Sequence, residues 1–422
     1  MKRIYTLLLF ALLAGGARAA RAEVRTEDVF GKFKNQVIQV RILEKSSGNK
    51  AEVGSGFAIG ASGLAVTNYH VVSSLLWQPG DYRAEAMLSD GDTREISIIM
   101  LDVAHDLALI RISGKPLAPF KLAQKLPLKG TRLYAIGNPR DLGLTIVEGT
   151  YSGVLEESLY EKLHFTGSIN PGMSGGPVID GAGNVVGVCE ATEGNQIGFL
   201  VPERFISGML ASAGPEIKAE EFVPDITKQL LANQESLVNR LSGSPLAAED
   251  LGPFRVPGRL SAAFRCWAKA GEEKREPYTT ITSACNTDDN IYVKESLLTG
   301  NISFSHYLLE GKGLDPIQFS ALEEYYSRMT GSHGNNFGIH DEDMTDYECD
   351  NSMVTTNGIT FKASLCLRGY KKIKGLYDLS WTGASLDESR RALVSELDLS
   401  GITPGNAEKF LKRYLEGFSW KK

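Results

Sequence analysis

The sequence predicts an all-β amino-terminal half, a helical connector, and an α+β carboxy-terminal domain that contains disulfides. Three observations predict this order. Short β-prone runs (Val37 to Ile42, Ile96 to Leu101, Arg132 to Ile136, Val185 to Glu190) recur between Gly, Pro and Asp turns as far as residue 210. After Pro202 the spacing becomes helical, and Ile226, Leu230, Leu237, Val238 and Leu241 fall near one face of a segment from Asp225 to Leu241, which Gly243 ends. Four of the five cysteines lie beyond residue 252. A chain of 422 residues, 42% apolar and 23% charged, has core material for two or three packed units.

The amino terminus reads as a secretory signal peptide over residues 1–19. Lys2 and Arg3 precede an apolar run from Ile4 to Ala14, and Ala17-Arg18-Ala19 offers a small-residue cleavage site, with an alternative cut after Ala22. An exported protein, periplasmic or secreted, is expected. The run is too short to span a bilayer comfortably, no other stretch approaches membrane length, and no cysteine stands at the cut to carry lipid, so stable membrane insertion is not expected. Cleavage removes three positive charges and takes the net charge from −6 to −9. An acidic balance of this kind gives no electrostatic footing for nucleic acid.

Within the β-rich half, Asn170-Pro171-Gly172-Met173-Ser174-Gly175-Gly176-Pro177 sets a serine among glycines. Such a run alone is an ordinary turn. Two upstream segments change its meaning. In Thr67-Asn68-Tyr69-His70-Val71-Val72 a histidine follows a strand-like run from Gly63, and in His105-Asp106-Leu107-Ala108-Leu109-Ile110 an acid opens a strand. In the order His, Asp, Ser, at spacings of 36 and 68 residues, the chain offers a base, an acid to orient it and a nucleophile. Ser174 needs a base to take its proton, His70 titrates near neutrality and can return that proton to a leaving amine, and Asp106 would fix the imidazole tautomer. The backbone amides of Gly172 and Ser174 are the expected oxyanion donors.

These segments resemble the trypsin-like serine peptidases, most closely the protease domain of the HtrA (Deg) family. Gly54-Ser55-Gly56-Phe57, Ala135-Ile136-Gly137-Asn138-Pro139, Glu148-Gly149-Thr150-Tyr151-Ser152-Gly153 and Gly198-Phe199-Leu200-Val201-Pro202 extend the resemblance over residues 27–210. It implies a chymotrypsin-like double β-barrel with the site between the barrels, the crossing falling at Gly114 to Pro119. It further implies an exported serine endopeptidase that cleaves protein or peptide substrates through an acyl-enzyme, without a cofactor or metal. An alternative from another class is a catalytically idle, chaperone-like binding protein that works through its carboxy-terminal domain. No glycine-apolar loop of a PDZ domain follows, so PDZ-gated activation does not carry over.

The chain departs from the family's pattern at two places. Digestive trypsin-like enzymes carry an aspartate at the place of Met173, and a methionine cannot pair with a new amino terminus. Order in the loop from Asn138 to Leu144 is therefore expected to decide whether the oxyanion hole forms. HtrA-type enzymes usually have asparagine at Met173 and aspartate at Thr166. By the same resemblance Ser168 lies at the base of the S1 pocket, Cys189 on its wall, and Glu190, Ala191 and Thr192 on the strand that pairs with substrate. An uncharged P1 side chain on an unfolded or extended polypeptide is expected. A carboxylate at Glu190 could raise the pKa of His70 or favour a basic substrate residue.

Residues 211–251 read as the connector, and 252–422 as a domain whose role its residues do not state. Cys266, Cys285, Cys349 and Cys366 are expected to form two disulfides, for which three pairings exist. A weak repeat, 252–331 against 340–420, favours Cys266 with Cys285 and Cys349 with Cys366. Each pair is followed by a strand-like run and a helix start, Gly313-Leu314-Asp315-Pro316 or Gly401-Ile402-Thr403-Pro404, in which Asp315 or Thr403 would cap. His333, His340, Asp341, Glu342, Asp343, Asp346 and Glu348 read as a solvated acidic loop.

Overall fold

The structure is a computed structural model that describes residues 24–60, 62–192, 197–243, 246–271, 276–330, 342–386 and 388–421. The signal-peptide reading, His333, His340 and Asp341 lie outside the described residues. Helix α1 (Thr26–Phe33) leads into β1 (Val37–Glu44), β2 (Lys50–Ala58), β3 (Leu64–Thr67), β4 (Tyr82–Met87), β5 (Thr93–Asp102) and β6 (Leu107–Ile112), with α2 (Tyr69–Trp77) between β3 and β4. These strands close an antiparallel barrel in the order β1-β2-β3-β6-β5-β4.

Residues 113–119 then cross without regular structure to a second unit. It contains β7 (Lys121–Leu122), β8 (Arg132–Gly137), β9 (Thr145–Val154), β10 (Leu163–Phe165), β11 (Pro177–Ile179), β12 (Asn184–Thr192) and β13 (Gly198–Pro202). The order β11-β8-β9-β10-β13-β12 closes through a β11–β12 pairing, and β7 adds in parallel to β12. The expected double barrel is present.

Two-residue periodicity explains how the barrels share a core. Successive side chains on a strand face opposite ways. On β6, Ala108, Ile110 and Ile112 fill the first barrel, while Leu107 and Leu109 face the second. On β8, Leu133 and Ala135 fill the second barrel while Tyr134 and Ile136 return the contact, joined by Val37, Phe57, Val66 and Val188. Apolar residues at consecutive positions therefore serve two cores.

Helix α3 (Glu203–Ala211) follows β13, and α4 (Phe222–Ser242) occupies the place of the connector. Its buried residues are Phe222, Ile226, Leu230, Gln234, Leu237, Val238 and Leu241, so the stripe read from the sequence is the buried one. Gln229 ties it to the first barrel, accepting from Val103 N at 2.9 Å and donating to Leu101 O at 2.9 Å. On its other side α4 packs against the carboxy-terminal domain.

That domain opens with β14 (Ala248–Leu251) and β15 (Phe254–Pro257), which form a small sheet with the last strand, β25 (Ser419–Trp420). Its main body contains β16 (Phe264–Gly271), β17 (Tyr278–Thr287), β20 (Ile302–Gly311), β21 (Glu348–Thr356), β22 (Ile359–Gly369), β23 (Tyr377–Ser385) and β24 (Arg391–Ile402). They make one antiparallel sheet in the order β16-β17-β20-β24-β23-β22-β21. Strands β18 (Ile291–Lys294) and β19 (Leu297–Thr299) form a separate hairpin. Helix α5 (Pro316–Thr330) follows β20, and α6 (Pro404–Glu416) follows β24.

Disulfides join Cys266 to Cys285 and Cys349 to Cys366, each bridging residues directly opposite on the first two main-sheet strands of a half. Asp315 accepts from Ile317 N and Gln318 N at 2.9 Å and so caps α5, whereas Thr403 makes no side-chain cap bond at α6. Gln234 of α4 accepts from Thr403 N at 3.3 Å instead.

One apolar cluster runs from Val40 and Ile110 in the first barrel, through Val72 of α2 and Leu230 and Leu237 of α4, to Phe304 and Trp381 in the carboxy-terminal sheet. Leu237→Ala is expected to cost about 2–5 kcal/mol in urea unfolding. Protease and carboxy-terminal signals should lose stability together, because the residue belongs to a core common to both.

Candidate active site

His70 sits on the first turn of α2, beginning at Asn68, and Asp106 on the turn before β6. The two turns are tied to each other. The Asp106 carbonyl accepts from Asn68 Nδ2 at 2.7 Å and Tyr69 N at 3.1 Å, and Asp106 holds a left-handed φ of 53°. This orientation points its carboxylate at His70: Oδ1 accepts from His70 N at 2.9 Å, and Oδ2 lies 2.6 Å from His70 Nδ1. A proton on Nδ1 leaves Nε2 as the acceptor.

Ser174 comes from the second barrel, on the turn before β11. Its neighbours require glycine. Gly175 has φ +83°, and a Cβ there would stand 2.2 Å from Ser55 O and 2.4 Å from Thr67 Oγ1. Gly172 has φ +94°, and a Cβ would meet Asn138 O at 2.4 Å. The Ser174 hydroxyl is half-buried and donates to the Glu190 carbonyl at 3.2 Å. Among the described residues no hydrogen bond joins it to His70.

The oxyanion segment is held from three directions. Arg140 N donates to Pro171 O at 2.8 Å, which turns the Gly172 N–H of that trans peptide the opposite way. Ser55 Oγ donates to Gly172 O at 2.7 Å and accepts from Asn138 N at 2.9 Å, while Ser55 N donates to Ser174 O at 2.8 Å. The loop that supplies Arg140 is itself anchored. Asn138 Oδ1 accepts from Gly143 N at 2.9 Å, and Asp141 binds Gln39 Nε2 at 2.7 Å and also Lys50. These bonds hold the Asp141 carboxyl below its ordinary pKa. Met173 is fully buried beneath the turn against Gly137, where an acid would have needed a partner.

Of the substrate-binding residues expected from the sequence, Ser168 is exposed, and its neighbour Ile169 turns inward against Gly198. Cys189 is buried and unbridged, with its thiol pushed up to about 12 by burial. Ala191 and Thr192 lie on β12 opposite Phe199 and Gly198, with side chains outside the described residues. Glu190 turns inward beside Asp106 and meets Lys162 Nζ at 3.0 Å. Burial raises its pKa against the pull of Lys162. Its charge is thus met within the protein.

Around His70, burial is the largest influence and opposes the charged imidazole, but attraction and hydrogen bonding from the Asp106 carboxylate, together with Glu190 and Glu52, outweigh it. The net effect is a raised pKa. Sequence reasoning missed Ser55, Ile169, Lys162 and the carboxy-terminal residues beside His70. Ser55 alone had a local signal, in Gly54-Ser55-Gly56-Phe57.

One barrel carries a histidine paired with an acid and the other a serine among glycines, and residues 54–188 match the family model described as a trypsin-like peptidase domain. The chain carries such a domain, and its relatives are HtrA and Deg proteases. It is 32% identical over 195 residues to Protease Do-like 5, chloroplastic, of Arabidopsis thaliana, covering 40% of this chain and 60% of that protein. It is 32% identical over 189 residues to Serine protease HTRA2, mitochondrial, of Bos taurus, covering 42% and 40%. Among solved structures, that of Deg5 is 31% identical with a TM-score of 0.38, covering 43% of this chain and 90% of that one. The chain spans 60% or less of the length of the curated relatives it matches.

Replacing Glu190 with Gln removes one of the carboxylates that favour imidazolium. The His70 ring resonances, followed by NMR against pH, should titrate at lower pH in Glu190→Gln than in the unsubstituted chain.

Proposed function

We propose that this protein is an exported serine endopeptidase that cleaves extended polypeptides through an acyl-enzyme. The observation that carries the reading is the Pro171 carbonyl bound to Arg140 N, because it leaves Gly172 N–H and Ser174 N–H to serve as paired donors beside the Ser174 hydroxyl. In this reading Ser174 Oγ attacks the substrate carbonyl carbon as its proton passes to His70 Nε2. The oxyanion is held by the two amides, a term worth roughly 3–4 kcal/mol per donor. The imidazolium, stabilised by Asp106, gives its proton to the leaving amine. Water then repeats the sequence on the ester and frees Ser174.

An uncharged P1 residue is proposed because Ser168, Ile169 and Cys189 carry no charge, and Ile169 and Cys189 are buried among apolar side chains. The two disulfides suit an oxidising compartment. No described helix is long and apolar enough to cross a membrane.

Purified full-length protein should hydrolyse casein and label with a fluorophosphonate, and both should vanish in Ser174→Ala. Asp106→Asn should retain the fold and lose roughly four orders of magnitude in turnover. Absence of labelling in the unsubstituted chain would instead favour the idle binding protein.

A further inference from the structure

The hairpin β18–β19 leaves the carboxy-terminal sheet and reaches the peptidase. We propose that the carboxy-terminal domain is a working part of the catalytic unit, its segment from Asp289 to Val293 positioning His70 from one side and the Lys162–Glu190 pair from the other. This rests on the peptidase reading above and adds to it the role of the second half of the chain.

The contacts on the His70 side form a chain of donors. Tyr69 Oη and Trp77 Nε1, at the two ends of α2, both donate to Val293 O, at 2.6 and 2.8 Å. A carbonyl from the carboxy-terminal domain thus fixes the helix that carries His70. Ser73 Oγ donates to His70 O at 2.9 Å. Its single proton is then spent, so in the 3.2 Å contact with Tyr292 the phenol is the donor. The sequence runs Tyr292 hydroxyl to Ser73 hydroxyl to His70 carbonyl, and the Tyr292 ring stands edge-on to the imidazole at 5.9 Å between centroids.

On the other side, Asp289 accepts from Ser158 Oγ at 2.9 Å and from Leu159 N at 2.5 Å, gripping the protease loop that precedes β10. Lys162, on that loop, lies 3.7 Å from Asp289 and 3.0 Å from Glu190. Glu190 in turn offers its carbonyl to Ser174 Oγ. One short segment therefore reaches both arms of the triad.

The segment is anchored on its own side as well. Ile291 and Val293 are buried, and Lys294 pairs with buried Asp343 at 2.8 Å. Among the described residues it makes no hydrogen bond to Ser174, Gly172 or Arg140.

A double-mutant cycle on the full-length chain tests the proposal. Tyr292→Phe and Ser73→Ala break the same donor chain from opposite ends. Each should lower kcat on a peptide ester about fivefold, with KM within about twofold, and the pair together should lose no more than either alone. Fluorophosphonate titration counts the active sites, so that rates refer to folded enzyme. The groups facing His70 are the Asp106, Glu190 and Glu52 carboxylates and the Tyr292 phenol; Asp289 acts on them through Lys162, and Asp289→Asn removes the negative charge that shares that ammonium with Glu190. It should move the acid limb of kcat/KM to lower pH. Unchanged kcat in both single variants, additive losses in the double variant, or an unmoved acid limb would overturn the proposal. An unsubstituted chain that neither labels nor hydrolyses would overturn the peptidase reading itself.

Discussion

A buried hydroxyl ties the two barrels together at the site. Ser55, on β2 of the first barrel, donates to the Gly172 carbonyl and accepts from Asn138 N, both on the second, and its own amide binds the Ser174 carbonyl. His70 and Asp106 belong to the first barrel and Ser174 to the second, so the site exists only while the barrels hold one relative position. Apolar contact between β6 and β8 brings the barrels together but is non-directional. Ser55 supplies the direction. The requirement for glycine at 175 follows from it, since a side chain there would collide with the Ser55 carbonyl.

Electrostatics follow the same plan of neutralising charge internally. Glu190 is buried next to Asp106, an arrangement that would be costly for two carboxylates alone. Lys162 meets it, and Asp289 meets Lys162 in turn. The loop from Asn138 to Gly143 holds the Pro171–Gly172 peptide by a backbone bond from Arg140 N. Met173 can then be an apolar residue in a dry position. Both devices draw on residues far apart in the chain, and the second half of the chain contributes to one of them.

Much of the fold was legible because its signals are local. Period-two runs and turn residues mark the barrel strands, and the stripe on α4 marks its buried face. The candidate site residues were legible because His70, Asp106 and Ser174 each stand in a short segment of their own. Ser55 was visible only as part of a glycine pattern, since its role depends on what lies across the barrel interface. Lys162 and Tyr292 had no local signal. A lysine between a tyrosine-glutamate pair and a strand reads as solvated, and Tyr292 in Ile291-Tyr292-Val293 reads as an ordinary strand residue. The segment from 211 to 251 read as a connector because sequence shows which face is apolar and not what covers it. The Thr403 side-chain cap is not formed, and the Thr403 N–H is bound by Gln234 from α4, a long-range contact with no local signal.

The unbridged cysteine carries a consequence for how the chain matures. In an oxidising compartment five thiols invite scrambled products, and Cys189 would be the odd member of any wrong pair. Both native bridges span short loops, 19 and 17 residues, between strands that pair directly. Cys189 precedes all four partners in order of synthesis and lies inside the second barrel with no exposed surface. Once that barrel closes, the thiol is out of reach of oxidants and of the later cysteines. Oxidative maturation then becomes a matter of timing: a barrel that closes before residue 266 meets an oxidant leaves only four thiols to sort.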